Sequence, residues 1–271
     1  MEAGSAGRLK IAGAVLILGL FAATALSLGA RSAGAGNPPD PLLPDLVVPA
    51  PEELQLDKSG KRRILRFSHT TANVGMGPLE ISPDPEADSC ASHNELWFDA
   101  DQYVYSDGND SGEFERGGDG PPETRNVGCM YFHEKHDHYH FRDFALYRLY
   151  RERTGRVAAR SDKVSFCVFD LEPFPPGVPG SEQFYSSKSC ERSDGTHGIS
   201  VGWADVYRVF TPGQELNVTG KRRGRYCLVA IADPDDRLAE VNNANNVQRV
   251  RIALRPYKGV VKRLDGRCKG V

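Results

Sequence analysis

The chain has 271 residues, with 34 basic and 36 acidic side chains and a formal net charge of −2. That length can bury a real core and allows one large domain or two small ones. The charges are spread along the chain with no basic stripe in the sequence, so no nucleic-acid partner is expected.

Arg8 and Lys10 precede an apolar run, Ile11 to Ala30, that ends in small residues. This is the pattern of a secretion signal, and the run is also long enough to span a bilayer. Residues 1–30 are therefore expected as a helical signal peptide or signal anchor. Either places the rest outside the cytoplasm, with membrane contact only through residues 11–30 if they stay uncleaved. Residues 31–43, rich in Gly, Pro and Ala, read as a linker. A main domain is expected over 44–255 and a tail over 256–271. All six cysteines (90, 129, 167, 190, 227 and 268) lie beyond the leader, which in an oxidising compartment implies up to three disulfides. The preferred pairs are Cys167 with Cys190, closing a loop between two expected strands, and Cys90 with Cys129, closing an acidic loop.

Short β-like segments follow one another: 63–68, 73–81, 141–150, 163–169, 199–210, 225–231 and 247–252. Gly (28) and Pro (18) punctuate them, and no amphipathic helix is visible after the leader. The expected fold is all-β, a sandwich core with long irregular loops. Residues 84–128 are expected as one such loop, rich in Asp and Glu. Asp107-Gly-Asn109-Asp-Ser111 resembles half a calcium loop but lacks the closing glutamate, since Gly118 stands there. A solvated acidic loop that attracts a cationic substrate is the expected reading.

Four of the chain's seven histidines fall within eight residues, at 133, 136, 138 and 140. Flanking aromatics favour an extended conformation, in which residues i, i+2 and i+4 share a face. His136, His138 and His140 would then line one face, with Tyr139 and Phe141 on the other. Three imidazoles gathered on one face suit zinc, copper, nickel or iron, although a solvated or pH-sensing cluster has the same composition. The spacing matches neither a zinc finger nor H-E-x-x-H. His133 has the opposite parity and is expected to support the ligands or lie in a loop.

Two other segments stand out. Lys163 opens the apolar run Lys163-Val-Ser-Phe-Cys167, and Trp203, Asp205 and Tyr207 share a strand face by parity. Taken alone, Lys163 reads as an edge-strand charge and Tyr207 as a core aromatic with a wet hydroxyl. In combination with His136-Asp-His138-Tyr-His140, Arg142-Asp143-Phe144-Ala-Leu-Tyr147, Gly198-Ile-Ser-Val-Gly202 and Glu240-Val-Asn-Asn-Ala-Asn-Asn246, they resemble the lysyl oxidase family in collinear order over roughly 44–252. The resemblance implies a copper amine oxidase catalytic domain. His136, His138 and His140 would be the copper ligands, and Tyr207 and Lys163 would combine into lysine tyrosylquinone. Such an enzyme deaminates primary amines (lysyl side chains or small amines) with O2, giving aldehyde, ammonia and hydrogen peroxide. Asp205 is assigned as the base, with His197 as the alternative.

The chain departs from the animal pattern in several places. Tyr131 and Phe132 stand where tryptophans usually flank the first histidine, the His strand holds no cysteine, and a Pro-rich stretch, 173–180, lengthens the interval between Lys163 and Tyr207. Two other readings stay open: a non-enzymatic metal-binding or adhesion module on the same fold, and a zinc hydrolase using three histidines and a water.

Overall fold

A computed structural model describes residues 40–87, 89–90, 96–191 and 193–271. The expected leader, 1–30, and residues 31–39 of the expected linker lie outside the described residues. In chain order the strands are β1 (Pro41–Leu42), β2 (Leu46–Val47), β3 (Leu54–Ser59), β4 (Arg62–Phe67), β5 (His69–Asn73) and β6 (Leu79–Asp84). Then come β7 (Trp97–Ser106), β8 (Gly120–His133), β9 (His138–Arg151), β10 (Val157–Arg160), β11 (Val164–Phe166) and β12 (Glu172–Pro173). The last six are β13 (His197–Ile199), β14 (Trp203–Tyr207), β15 (Glu215–Asn217), β16 (Gly224–Ala232), β17 (Val247–Arg255) and β18 (Val260–Arg263). Among the described residues, helix is confined to two short 3-10 turns, Ser187–Cys190 and Pro256–Lys258. The protein is all-β.

The strands form an 11-stranded sheet with the backbone order β13-β6-β7-β8-β9-β16-β17-β18, a four-stranded sheet β12-β14-β5-β2 and a three-stranded sheet β15-β4-β3. One apolar core joins all three, with Leu46, Leu65, Phe67, Met130, Phe144, Tyr147, Leu216 and Leu228 inside it. All strand pairs are antiparallel, so inward apolar residues alternate with outward polar ones.

β9 holds this arrangement together. On one edge its first residues pair with β8 (Met130↔Phe141, His133↔His138), and its later residues pair with β16 (Ala232↔Ala145 to Tyr226↔Arg151). The other edge takes β11 and then β10. The handover from β8 to β16 falls at Asp143, which has φ +62° and whose N–H donates to Ser165 Oγ at 3.2 Å. A β-bulge of this kind bends a strand and lets it serve two sheet directions.

Several expected boundaries fall differently. Residues 84–128 are not one loop, because β7 and the start of β8 lie within them, paired with each other. Ala100, Gln102 and Val104 face inward, and the carboxylates between them obscured the alternation. Asp99 is buried because it accepts hydrogen bonds from the Cys90 N–H and from Asn126, both at 3.1 Å. In the remaining turn Asp107 caps the N–H groups of Ser111 (3.1 Å) and Gly112 (2.7 Å), and Asp119 accepts from Gly108 and Glu115. These carboxylates fold their own loop. Pro41–Leu42, within the expected linker, pairs with β7, and the stretch 256–271 contains β18 and Cys268.

Disulfides join Cys90–Cys129 and Cys167–Cys190, as expected, and also Cys227–Cys268. They close 39, 23 and 41 residues, a scale at which each cross-link contributes about 3–4 kcal/mol by restricting the unfolded chain.

The left-handed backbone at Asp143 makes a specific demand on its side chain. Asp143→Val is expected to lower unfolding free energy by about 1–2 kcal/mol in urea titration, while Asp143→Gly stays within about 0.5 kcal/mol of the parent. Equal behaviour of the two variants would contradict the bulge.

Candidate metal centre and buried tyrosine cluster

β8 ends at His133 and β9 begins at His138, so a four-residue turn, 134–137, joins them. The N–H groups of His136 and Asp137 each donate to the His133 carbonyl at 2.9 Å, and Asp137 adopts φ +57°. The register pairs His133 with His138 and Tyr131 with His140. Directly opposed residues of an antiparallel pair share a face. Tyr131, His133, His138 and His140 therefore project together, while Tyr139 (7 % exposed) and Phe141 (2 %) point into the core.

Two expectations need correcting here. His136 is not on the strand; it joins the face from the turn. His133 is not turned away, since its ring stacks on His136 with centroids 3.9 Å apart and lies 5.2 Å from His140. Counting parity through 133–140 assumed one continuous strand, and the hairpin turn breaks that count.

His136, His138 and His140 each offer a ring nitrogen, and the three atoms lie within 4.8 Å of one another. His136 Nδ1 is 3.4 Å from His140 Nε2, which is 3.0 Å from His138 Nε2. A metal bonded to imidazoles at ~2.0–2.1 Å holds its ligand atoms roughly 3 Å apart, so the donor set fits such an ion. His140 Nδ1 lies 3.1 Å from the Tyr131 hydroxyl. For Nε2 to keep its lone pair the proton must sit on Nδ1 and be donated to Tyr131, which fixes both tautomer and ring orientation. Burial above all, with the neighbouring histidines adding repulsion, lowers the His140 pKa to about 3. The imidazole is thus neutral at ordinary pH, as a ligand must be. Tyr131 is itself braced by Trp97, whose ring stacks on it at 5.3 Å beneath the Arg142 guanidinium.

On the core side of β9, Phe166 pairs with Phe141, and the Tyr207 ring stacks on Phe166 with centroids 4.2 Å apart. The Tyr207 hydroxyl donates to the Cys167 carbonyl. β14 pairs with β5, so Tyr207 stands opposite His69 and Asp205 opposite Thr71. Asp205 is 2 % exposed. Burial is the main cause raising the pKa of Asp205 and of Tyr207, and each feels the other: the carboxylate pushes the phenol further up, while the hydrogen bond from the phenol favours the ionised carboxylate and offsets part of the rise. Tyr147, fully buried, also has its pKa raised by burial and then by Asp205. The His69 ring packs 5.3 Å from Tyr147, and its Nε2 is 3.0 Å from Thr71 Oγ1. Three buried polar atoms in this cluster have no protein partner: His69 Nδ1, Tyr147 Oη and Asp205 Oδ1. Such orphans are rare in folded proteins, and three around one tyrosine make this cluster a candidate functional place.

The fold thus brings together the three imidazoles, and separately Asp205 with Tyr207. It does not join Lys163 to Tyr207. Lys163 Nζ binds Asp235 Oδ1 at 2.6 Å, and Asp235 also receives Arg237 at 2.8 Å. His197 lies beside the histidine face: its Nδ1 accepts the Val168 N–H at 3.2 Å, and burial, then His140 and His138, lower its pKa to about 3. Sequence reasoning missed Tyr131, His69, Tyr147 and Asp235. Folding 131–140 as a hairpin would have found Tyr131. Tyr147 lies farther along β9 itself, and His69 and Asp235 arrive from distant segments with no local signal.

The site is a set of three imidazole donors with the spacing for a metal ion, on a disulfide-bonded all-β scaffold, with the partly buried Tyr207 packed on the inner side of the same strand. The family model described as lysyl oxidase matches residues 120–263, and the chain belongs to the lysyl oxidase family. Lysyl oxidase homolog 3A of Danio rerio is 34 % identical over 119 residues, covering 44 % of this chain and 15 % of that protein. Lysyl oxidase homolog 1 of Homo sapiens is 30 % identical over 122 residues (45 % and 20 %), and lysyl oxidase homolog 3B of Danio rerio 26 % over 190 (70 % and 17 %). The matched region spans a fifth or less of each relative's length.

Burial of His69 has a pH signature. Its pKa falls from 6.5 to about 3 on folding, so the unfolded chain binds the extra proton and stability is lost as pH drops from 6.5 towards 3. His69→Gln is expected to flatten the stability curve in that window by about 1.4 kcal/mol per pH unit, read from urea midpoints. An unchanged slope would mean that His69 is not held neutral.

Proposed function

We propose that this chain is a copper- and quinone-dependent amine oxidase, and that 44–255 forms its catalytic domain, exported from the cytoplasm. The observation that carries this reading is the convergence of His136, His138 and His140 on one face, in a member of the lysyl oxidase family. Imidazole donors suit copper(II), which stands at the top of the divalent affinity order. Three disulfides support an oxidising compartment.

In this reading His136, His138 and His140 hold copper, and Tyr207 and Lys163 supply lysine tyrosylquinone. When bound, copper with O2 and the quinone provide the oxidising power that converts a primary amine to an aldehyde, with ammonia and hydrogen peroxide released. The protein's own residues position and exchange protons. Tyr131 orients His140 through the Nδ1 proton. The Cys167 carbonyl fixes the Tyr207 hydroxyl, and Phe166 covers the ring. Asp205, whose burial raises its proton affinity, is the base beside Tyr207. For Lys163 to reach Tyr207 it must first leave Asp235. Phe166, against which Tyr207 packs, lies three residues on, or about 10 Å along an extended chain. Movement of the segment before β11 is therefore part of maturation.

The purified protein, given copper and O2, is expected to develop a visible quinone band and to release peroxide with a primary amine. Tyr207→Phe should remove both while keeping the copper stoichiometry; full activity in that variant refutes the cofactor assignment. Tyr131→Phe should weaken copper binding by roughly tenfold or more in competition with a chelator. The Lys163–Asp235 ion pair favours a second reading, a metal-binding module without the quinone. Intact mass decides between them, because a Lys163–Tyr207 cross-link changes the mass and survives reduction.

A further inference from the structure

Far from the histidines, a cleft of about 440 Å³ opens where the turn between β9 and β10 meets the start of β16 and the C-terminal segment. Arg151, Arg153, Arg223, Arg225, Arg251 and Lys269 line it. Its single acidic side chain, Glu152, is engaged by Arg251 at 2.5 Å. Among the described residues, the side chains of Arg153, Arg223, Arg225 and Lys269 make no ion pair or hydrogen bond. Arg151 lies over the Tyr226 ring, 5.8 Å from its centroid.

The walls are fixed rather than loose. The Tyr226 hydroxyl donates to the Arg222 carbonyl at 2.6 Å, pinning the Lys221–Arg225 turn. The Cys227–Cys268 disulfide ties Lys269 to β16, and Arg251 is held by Glu152 and by the Asp265 carbonyl at 3.0 Å. Like charges held close together in a concave surface produce a strong local positive field. A second hollow, about 230 Å³, shares Arg223 and continues to Arg255, Lys258 and Tyr257, a residue 66 % exposed. Cations therefore run along an extended path that ends beside an exposed aromatic face.

We propose that this path is a docking surface for an acidic polysaccharide, with the arginines taking its sulfate or carboxylate groups and Tyr257 stacking on a sugar ring. Two cationic hollows joined at Arg223 suit a linear polyanion better than a single small anion. Arginine forks match sulfate and carboxylate geometry. Three disulfides fit the oxidising compartment of the proposed function, outside the cytoplasm, which favours an acidic glycan over a nucleic acid as the polyanion. At ~3.3 Å per residue, the run from His140 to Arg151 along β9 covers roughly 35 Å. A bound glycan would hold the protein in place without covering the histidine face.

The test is calorimetric titration of the full chain with a heparin oligosaccharide at about 0.15 M salt. Arg153→Ala/Arg225→Ala is expected to bind about tenfold more weakly and to show a shallower dependence of affinity on salt, as fewer counterions are released. Its thermal midpoint should not move, because neither side chain has a partner in the fold. Arg125→Ala/Lys188→Ala, which removes the same charge elsewhere, should bind like the parent. Equal affinities for the two double variants, absent binding by the parent, or tighter binding of single-stranded DNA or anionic vesicles than of heparin would each overturn the proposal.

Discussion

The architecture turns on the exchange of partners along β9 at Asp143. An antiparallel strand has two hydrogen-bonding edges, and each backbone group must be satisfied. Up to Phe141 one edge is filled by β8, and from Ala145 onward the same edge is filled by β16. The left-handed residue at Asp143 makes the handover possible without leaving the core open. Two groups of strands diverge from this point, and β11, on the other edge, brings Phe166 against the strand's inner face.

This exchange is what relates the two halves of the candidate site. The outer face of β9 carries His138 and His140, and the inner face carries Tyr139 and Phe141. Phe166 lies beside Phe141 and supports Tyr207. The Cys167–Cys190 disulfide couples the two sides. The Cys167 carbonyl accepts the Tyr207 hydroxyl, and Glu191, next to Cys190, forms a backbone bridge with His138. The histidine face and the partly buried Tyr207 phenol are thus held by one strand and one cross-link, although 67 residues separate His140 from Tyr207 in sequence.

Charge shows the same dependence on folding. Along the chain, basic and acidic residues balance to −2. In space they separate, because Arg151, Arg223, Arg251 and Lys269 come from four segments that meet at one end of β9, β16 and β17. Meanwhile Asp99, Asp107 and Asp119 are absorbed by backbone N–H groups around β7 and β8. The expectation of no basic patch followed from sequence spacing, which does not show which turns share an edge.

Local regularities were legible in the sequence: the all-β class, the alternation that puts Tyr139 and Phe141 inward, the grouping of His136, His138 and His140, and two of the disulfides. Each rests on short-range periodicity or on a pattern of conspicuous residues. Parity failed at His133 because a hairpin reverses the chain between 133 and 138, and β7 was hidden because its inward side chains sit between carboxylates that the fold neutralises. The sequence by itself determined which side chains could ligate a metal. Only the tertiary structure decided that His69 and Tyr147 surround Tyr207, that Asp235 holds Lys163, and that scattered arginines share one cleft. Those neighbours meet through pairings between distant strands, and such pairings are set by core packing and edge satisfaction rather than by anything local to the residues themselves.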